Sequence, residues 1–277
     1  MNPNAPGRLY LVSTPIGNLG DLSPRAVETL GRVALILAED TRHSRHLLDH
    51  AGIRTPVASH HEHNEARTTP ALVRRLLDGE SMALISDAGT PLLSDPGARL
   101  VRAAIDAGVP VVAVPGPSAL LAALVVSGMS GERFTFYGFL PRKGRERSEL
   151  LGEIAASRHT AVVYEAPGRV AGTLAELAAL DAERPVAVAR ELTKQFEEVR
   201  RGTAGELARY YEDSPPRGEV VLVIGGAVLA PVDEEALRER ARALRAGGAS
   251  ARDVARALVA EHGAARNVAY RLAHEPD

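Results

Sequence analysis

The chain of 277 residues contains no cysteine, and that absence removes disulfide frameworks, thiolate zinc sites and cysteine nucleophiles together. It has only two lysines, Lys143 and Lys194, and neither follows a glycine-rich loop, so a Walker-type nucleotide site is excluded. Aromatic residues are scarce, at 4%. No apolar run approaches the roughly 20 residues of a membrane span. The opening Met-Asn-Pro-Asn-Ala-Pro-Gly-Arg lacks the hydrophobic core of a signal peptide. A cytoplasmic setting without membrane attachment is therefore expected. Positive charge is not in excess either: Lys+Arg 33 against Asp+Glu 35 leaves a net charge of −2. That disfavours nucleic-acid binding through bulk charge and leaves room only for a local basic patch. What is present, 45% hydrophobic and 25% charged residues, is the composition of a folded chain of about two domains.

Short apolar runs alternate with longer helical patterns. Leu9–Thr14, Val33–Ala38, Met82–Asp87 and Val109–Val114 are apolar almost throughout, as strands covered on both faces must be. Between them Asp95–Ala107 reads as a helix, with Asp95 as its cap, Pro96 in the first turn and Gly108 as its stop. Repeated β-α-β units of this kind predict a doubly wound, mostly parallel sheet over residues 7–128. Gly128-Met129-Ser130-Gly131 is a natural hinge. Over residues 129–230, strands at Phe134–Leu140, Thr160–Glu165, Pro185–Arg190 and Glu219–Gly225 alternate with helical stretches near 145–157, 168–180 and 204–212. They predict a second α/β domain with a mixed sheet. Residues 231–277 carry three helical patterns (233–246, 250–262 and 264–273), which fit either a helix-turn-helix or a small packing bundle. Their eight arginines are matched by eight carboxylates. The expected class is α/β: two α/β domains and a small C-terminal helical segment.

In a doubly wound sheet, ligands collect at the carboxyl ends of the strands. Four strand-end loops are dense in small residues and turn formers: Ser13–Gly20, Ala38–Arg42, Ser86–Pro91 and Pro115–Ala119. Four such loops at one edge predict a binding floor. The dinucleotide signature Gly-x-Gly-x-x-Gly is absent, and Gly17 and Gly20 stand beside Pro15 and Asn18 instead. Asp87 ends a buried strand; with Asp95 taken as a helix cap, Asp87 is the better ligand candidate. His43, His46, His50, His60, His61 and His63 match no catalytic zinc spacing, which points to solvated polar positions and no metal site. Arg142, Lys143, Arg145 and Arg147 crowd around Gly144, directly after the aromatic stretch Phe136-Tyr137-Gly138-Phe139. An anionic substrate or an RNA backbone would explain that combination, a solvated surface being the alternative.

Taken in order, Val12–Asp21, Ala38-Glu39-Asp40-Thr41-Arg42, Ser86-Asp87-Ala88-Gly89-Thr90-Pro91 and Pro115-Gly116-Pro117-Ser118-Ala119 resemble the tetrapyrrole methylase superfamily. Gly138-Phe139-Leu140-Pro141, Tyr164-Glu165 and Arg190-Glu191-Leu192-Thr193-Lys194 extend the likeness over about residues 8–225. Ala-Glu-Asp-Thr-Arg is similar to the branch that methylates ribosomal RNA and differs from the porphyrinoid branch. The resemblance implies S-adenosyl-L-methionine as cofactor, held in the cleft between two α/β domains. It implies methyl transfer to the ribose 2′-hydroxyl of a cytidine in 16S ribosomal RNA, free or within the small ribosomal subunit. It also implies a homodimer. By the same likeness Pro15, Ile16 and Gly17 would lie near the methionine portion. Asp87 and Thr90 stand where the superfamily has a Gly-Asp-Pro loop, although Ser86 and Ala88 replace its neighbours. Ser118 and Ala119 match a Thr/Ser-Ala pair, and Glu165 and Leu192 fall where the second domain meets the cofactor.

A 2′-hydroxyl is a weak nucleophile, so alignment would supply most of the rate, roughly 7–11 kcal/mol of barrier. A positioned base adds about 10²–10⁴-fold. Glu39 or Asp40 is the candidate base, with Arg42 orienting a phosphate or that carboxylate; capping of the helix that begins at Thr41 is the alternative. Two rival functions remain at this level: a porphyrinoid or diphthamide-precursor methylase of the same superfamily, and an RNA-binding module without catalysis.

Overall fold

The structure is a computed structural model and describes residues 5–227 and 234–275. Five short strands, β1 (Leu9–Val12), β2 (Leu35–Ala38), β3 (Val57–Ser59), β4 (Met82–Ile85) and β5 (Val111–Val114), form one sheet in the order β3-β2-β4-β1-β5. All of its pairings are parallel, as expected. Every residue of β2 and β4 is buried because helices cover both faces. Alternate strand residues supply the two cores. Ile36, Ala38, Ala83 and Ile85 pack with Leu30 of α1 (Pro24–Arg32) and Leu48 of α2 (Thr41–His50). Leu35, Leu37, Met82 and Leu84 pack with Leu72 and Leu76 of α3 (Glu62–Leu77) and Leu100 of α4 (Ala98–Asp106).

One helix start departs from expectation. The helix expected from Asp95 begins at Ala98, behind Gly97 at φ 120°, and no side chain of its own chain end caps it. Gly97 Cβ-less geometry admits the close approach of Leu84, which a Cβ there would meet at 2.4 Å. The first amides of α4 are satisfied from elsewhere: Arg99 N and Leu100 N donate to Glu65 Oε1 of α3 at 2.7 and 3.1 Å. Asp95 is thereby released from capping.

The second sheet contains β6 (Phe134–Phe139), β7 (Thr160–Glu165), β8 (Pro185–Arg190), β9 (Glu198–Thr203) and β10 (Val220–Ile224), in the order β6-β7-β10-β8-β9. Only β6 and β7 are parallel, so the sheet is mixed, as the sequence predicts. The sequence did not reveal β9, whose Glu-Val-Arg-Arg-Gly-Thr carries no apolar run. It is an edge strand, tied to β8 by the Glu198–Arg190 ion pair at 2.7 Å. One face of this sheet packs against α6 (Arg145–Ala156), α7 (Val170–Leu180) and α8 (Ala204–Asp213). The other face receives α5 (Ala119–Ser127), whose Leu120, Ala123 and Leu124 lie against Val162, Ala187, Val221 and Val223. Because α5 directly follows β5, it welds the two sheets together.

The chain divides after Gly226 into two compact units. In the second, α9 (Glu234–Ala246), α10 (Ala251–His262) and α11 (Arg266–His274) enclose their own core of Leu237, Val254, Leu258 and Leu272. Ser250 caps α10 through Asp253 N, as expected. Arg238, Arg240, Arg256 and Arg271 pair with carboxylates of the same unit, an arrangement that fits a packing bundle better than a cationic reading head. The expected boundary after residue 230 and the expected helix start at residue 233 lie outside the described residues. Among the described residues no helix is long and apolar enough to cross a membrane.

Candidate active site

At the carboxyl edge of the parallel sheet the strand-end loops are stitched into one floor. Thr14 and Gly89 exchange backbone hydrogen bonds, Thr14 N to Gly89 O at 2.9 Å and Gly89 N to Thr14 O at 3.1 Å. Ser13 Oγ donates to Thr90 Oγ1 at 3.2 Å, and Thr90 Oγ1 donates to Pro117 O at 3.0 Å. Asp40 N donates to Asp87 Oδ1 at 3.1 Å. The loops approach so closely that a Cβ on Gly116 would stand 2.9 Å from Ser13 Cβ. All four loops singled out in the sequence therefore meet.

Above this floor lies a cavity of about 370 Å³, closed on its far side by the second sheet. Its size falls in the range of small-molecule sites, about 300–1,000 Å³. Ile16, Thr90, Ser118 and Ala119 line it from the first sheet, and Tyr164, Glu165 and Val221 from the second. Three carboxylates, Glu39, Asp87 and Asp95, share the wall. Burial raises Asp95 from an ordinary 3.8 to about 6, helped by the charges of Glu39 and Asp87. Glu39 is also raised, by burial first and by Asp87 second. Every non-glycine residue with left-handed backbone among the described residues flanks this region: Leu92 and Ser94 on one side, Glu191 and Thr193 on the other. Such conformations cost roughly 1–3 kcal/mol each and gather at functional sites.

The expected site residues fare unequally. Ile16, Glu39, Asp87, Thr90, Ser118, Ala119 and Glu165 are all in the cavity lining, whereas Pro15, Gly17 and Leu192 stand outside it. Pro15 and Leu192 are buried, and Gly17 packs under Lys194, whose Cγ a Cβ would meet at 2.4 Å. Asp40 takes the capping alternative: its Oδ1 accepts from Arg42 N at 2.8 Å and His43 N at 3.3 Å. Those two amides, Arg42 first, hold its carboxyl below the usual range, the opposite of what a base needs. Arg42 leaves its side chain 92% exposed, 3.7 Å from Asp40.

The basic run divides. Arg142 and Lys143 are exposed, and among the described residues neither has a carboxylate partner; Arg145 pairs only with Glu149 on the surface. Arg147 departs from expectation. It is buried, with its guanidinium donating to Glu176 at 3.0 Å, Thr173 Oγ1 at 2.8 Å and Pro141 O at 3.1 Å, so it offers nothing to an RNA phosphate. It shares the inner face of α6 with Leu151 and Ile154, four and seven residues on. The histidines also divide: His43, His46, His50 and His63 are exposed, while His60 is fully buried beside Thr68 and Glu65. Asp95 is the acid that sequence reasoning misassigned. Its neighbour Gly97 was the available signal, since a glycine two residues on displaces the helix start.

A parallel sheet with a strand-end cavity, closed by a mixed second sheet, defines the tetrapyrrole-methylase class of fold. The chain belongs to the tetrapyrrole (corrin/porphyrin) methylase family, whose model matches residues 8–208. It is 48% identical over 248 residues to ribosomal RNA small subunit methyltransferase I of Synechocystis, covering 87% of this chain and 88% of that protein. The protein of that name from Pseudomonas aeruginosa is 45% identical over 234 residues, covering 83% of each chain. Among solved structures, uroporphyrin-III C-methyl transferase from Thermus thermophilus, complexed with S-adenyl homocysteine, shares the fold. It superposes at a TM-score of 0.57 with 21% identity, covering 79% of this chain and 97% of that one.

Proposed function

We propose that the chain transfers a methyl group from S-adenosylmethionine to small-subunit ribosomal RNA, at the ribose 2′-hydroxyl of a cytidine in 16S RNA. The observation that carries this reading is the strand-end cavity, joined to relatives whose names specify small-subunit ribosomal RNA methylation. Residues of the cavity fit the cofactor. Ser118 Oγ is buried in the wall with no hydrogen-bond partner, a free group for a polar ligand. Asp87, Thr90 and Ser118 would hold its polar groups, Ile16 and Ala119 its apolar surface, and the three acids favour a cation.

S-adenosylmethionine, when bound, supplies an electrophilic methyl group. The residues of this chain supply alignment and a proton acceptor. The stitched floor would hold the acceptor hydroxyl in line with the donor, the larger contribution at roughly 7–11 kcal/mol. Glu39 and Asp95, whose proton affinities are raised by burial, are the acids suited to take the hydroxyl proton. Asp40 fixes the helix beneath them. We assign homodimeric action in the cytoplasm to the same proposal; the outer face of α5, with Leu121 and Val125 exposed, is an apolar strip suited to a second copy.

Labelled cofactor incubated with small-subunit RNA, free and in particles, tests the reaction, and calorimetry with S-adenosylhomocysteine tests the cavity. Methylated cytidine carrying a 2′-O-methyl group is the expected product; label in any other position would reject the specificity. In single turnover, Glu39→Gln or Asp95→Asn should slow transfer by about 10²–10⁴-fold with cofactor bound. Near wild-type rates in both would remove the base assignment.

A further inference from the structure

The first sheet's side of the cavity carries the carboxylates Glu39, Asp87 and Asp95; the second sheet's side carries the rings of Tyr164 and Phe139, and its acids Glu165 and Glu219 are paired with Arg169 and Lys194. Phe139, the last residue of β6, lines the cavity yet is 59% exposed. Its orientation depends on an irregularity. In a regular strand successive side chains alternate, so residues 136 and 139 would fall on opposite faces. Here the register against β7 shifts: Phe136 pairs with Val162, and Phe139 pairs with Tyr164. Gly138 takes a φ of 64° within the shift. One extra residue in β6 re-aims the side chain that follows it. Both rings consequently meet Tyr164 edge-to-face, with centroids 4.9 Å away for Phe136 and 5.5 Å for Phe139.

The chain beyond Phe139 is pinned to the same wall. Arg169 Nη2 donates to Leu140 O at 2.7 Å and Arg147 Nη1 donates to Pro141 O at 3.1 Å. Both guanidiniums are themselves held by the buried carboxylate of Glu165, Arg169 at 2.8 Å and Arg147 at 3.8 Å. From this anchored turn the unpaired Arg142 and Lys143 emerge within four residues of the ring.

We propose that Phe139 is the platform on which the target nucleobase stacks, while Arg142 and Lys143 take the adjoining phosphates of the same strand. The inference rests on the RNA-methyltransferase reading given above. An exposed ring beside unpaired cations is the combination that binds a single strand, because every base offers a π-face and every nucleotide a charge. A duplex would hide that face in its own stack, so the ring selects an unpaired, splayed nucleotide. The acids of the opposite wall repel phosphate, which leaves the basic loop as the side on which the backbone runs. The cofactor's adenine is the competing occupant of the ring.

The chain has no tryptophan, so Phe139→Trp installs a single indole reporter. Phe139→Ala, Phe139→Leu and Phe139→Trp are compared in the full chain. Steady-state turnover on small-subunit RNA gives KM and kcat, and calorimetry gives the Kd for S-adenosylhomocysteine. F139W is titrated with a short cytidine-rich single-stranded RNA and, separately, with inorganic polyphosphate. Truncation to Ala or Leu should raise KM for RNA about tenfold to a hundredfold with the S-adenosylhomocysteine Kd unchanged. F139W, which keeps a stacking face, should lower KM relative to Phe139→Ala, and its fluorescence should be quenched by RNA but not by polyphosphate. An unchanged KM in Phe139→Ala overturns the proposal; so does a parallel loss of S-adenosylhomocysteine binding, which would give the ring to adenine; so does equal quenching by polyphosphate. Wild-type protein that binds S-adenosylhomocysteine but methylates no RNA would fail the broader reading instead, a result separable because the titration needs no turnover.

Discussion

Asp95 is ionised only against resistance from its surroundings, and that has a consequence for stability. Its carboxyl rises from 3.8 to about 6 on folding, through burial first and then the charges of Glu39 and Asp87. Below about pH 4 it is protonated in folded and unfolded chains alike and costs nothing. As pH rises through 6 the folded state must carry a disfavoured charge that the unfolded state carries freely, so stability is lost. Asp95→Asn should therefore raise the Tm of the ligand-free protein at pH 8, with the gain vanishing below pH 4 in a calorimetric pH series. The same variant should weaken binding of the cationic cofactor at pH 8. His60 works in the opposite sense: burial lowers its pKa, offset in part by Glu65, so its contribution falls away under acid. Since His60 is common to both proteins, the difference between them isolates Asp95. A Tm gap independent of pH would show that the carboxylate is not strained in the fold.

Glu65 makes α4 an element whose cap comes from another helix. Its Oε1 accepts from two amides that Gly97 cannot satisfy, and the loop it closes holds Leu92 and Ser94 in left-handed conformations beside the cavity. Removing a cap of this kind costs about 1 kcal/mol. Glu65→Ala should lower stability by that amount in urea titration and weaken S-adenosylhomocysteine binding as the loop carrying Asp95 loosens. Glu65→Gln, which keeps an acceptor oxygen, should fall between. Stability lost without any change in binding would confine Glu65 to the helix. At this scale the sequence was most legible where strands are buried on both faces: β7 and β8 match their expected limits. It was least legible at two of the four edge strands: β3 has only three residues and β9 is charged, so neither carries an apolar run, whereas the edge strands β5 and β6 do.

For the molecule as a whole, a net charge of −2 means that RNA cannot be held by general attraction. Binding has to be local, and the exposed part of the basic run is the place for it. Arg142→Ala with Lys143→Ala should weaken RNA binding and flatten its dependence on log salt by about 0.7 per lost single-strand phosphate contact. Arg147→Met should behave differently. It leaves the buried carboxylate of Glu165 paired with Arg169 at 2.8 Å but strips the buried Thr173 hydroxyl and Pro141 carbonyl of a donor, a loss of about 1–3 kcal/mol of stability. Filter binding across salt and thermal unfolding distinguish the two outcomes; a pure salt-slope effect in Arg147→Met would return that residue to the RNA surface.

The sequence by itself determined the α/β class, the parallel first sheet, the mixed second sheet and the four loops that form the floor. Strand burial and loop composition are local properties, written as apolar runs and as clusters of Gly, Pro, Ser and Asp. Tertiary structure alone decided which charges are free. Arg142 and Arg147 differ by five positions in one basic run, yet one faces water and the other a buried glutamate from β7. Asp40 takes its alternative duty as a cap, whereas Asp95, expected as a cap, leaves the start of α4 to Glu65, which is distant in sequence. An ionisable group's task is set by what lies within a few ångströms of it, and for these residues those neighbours come from remote parts of the chain.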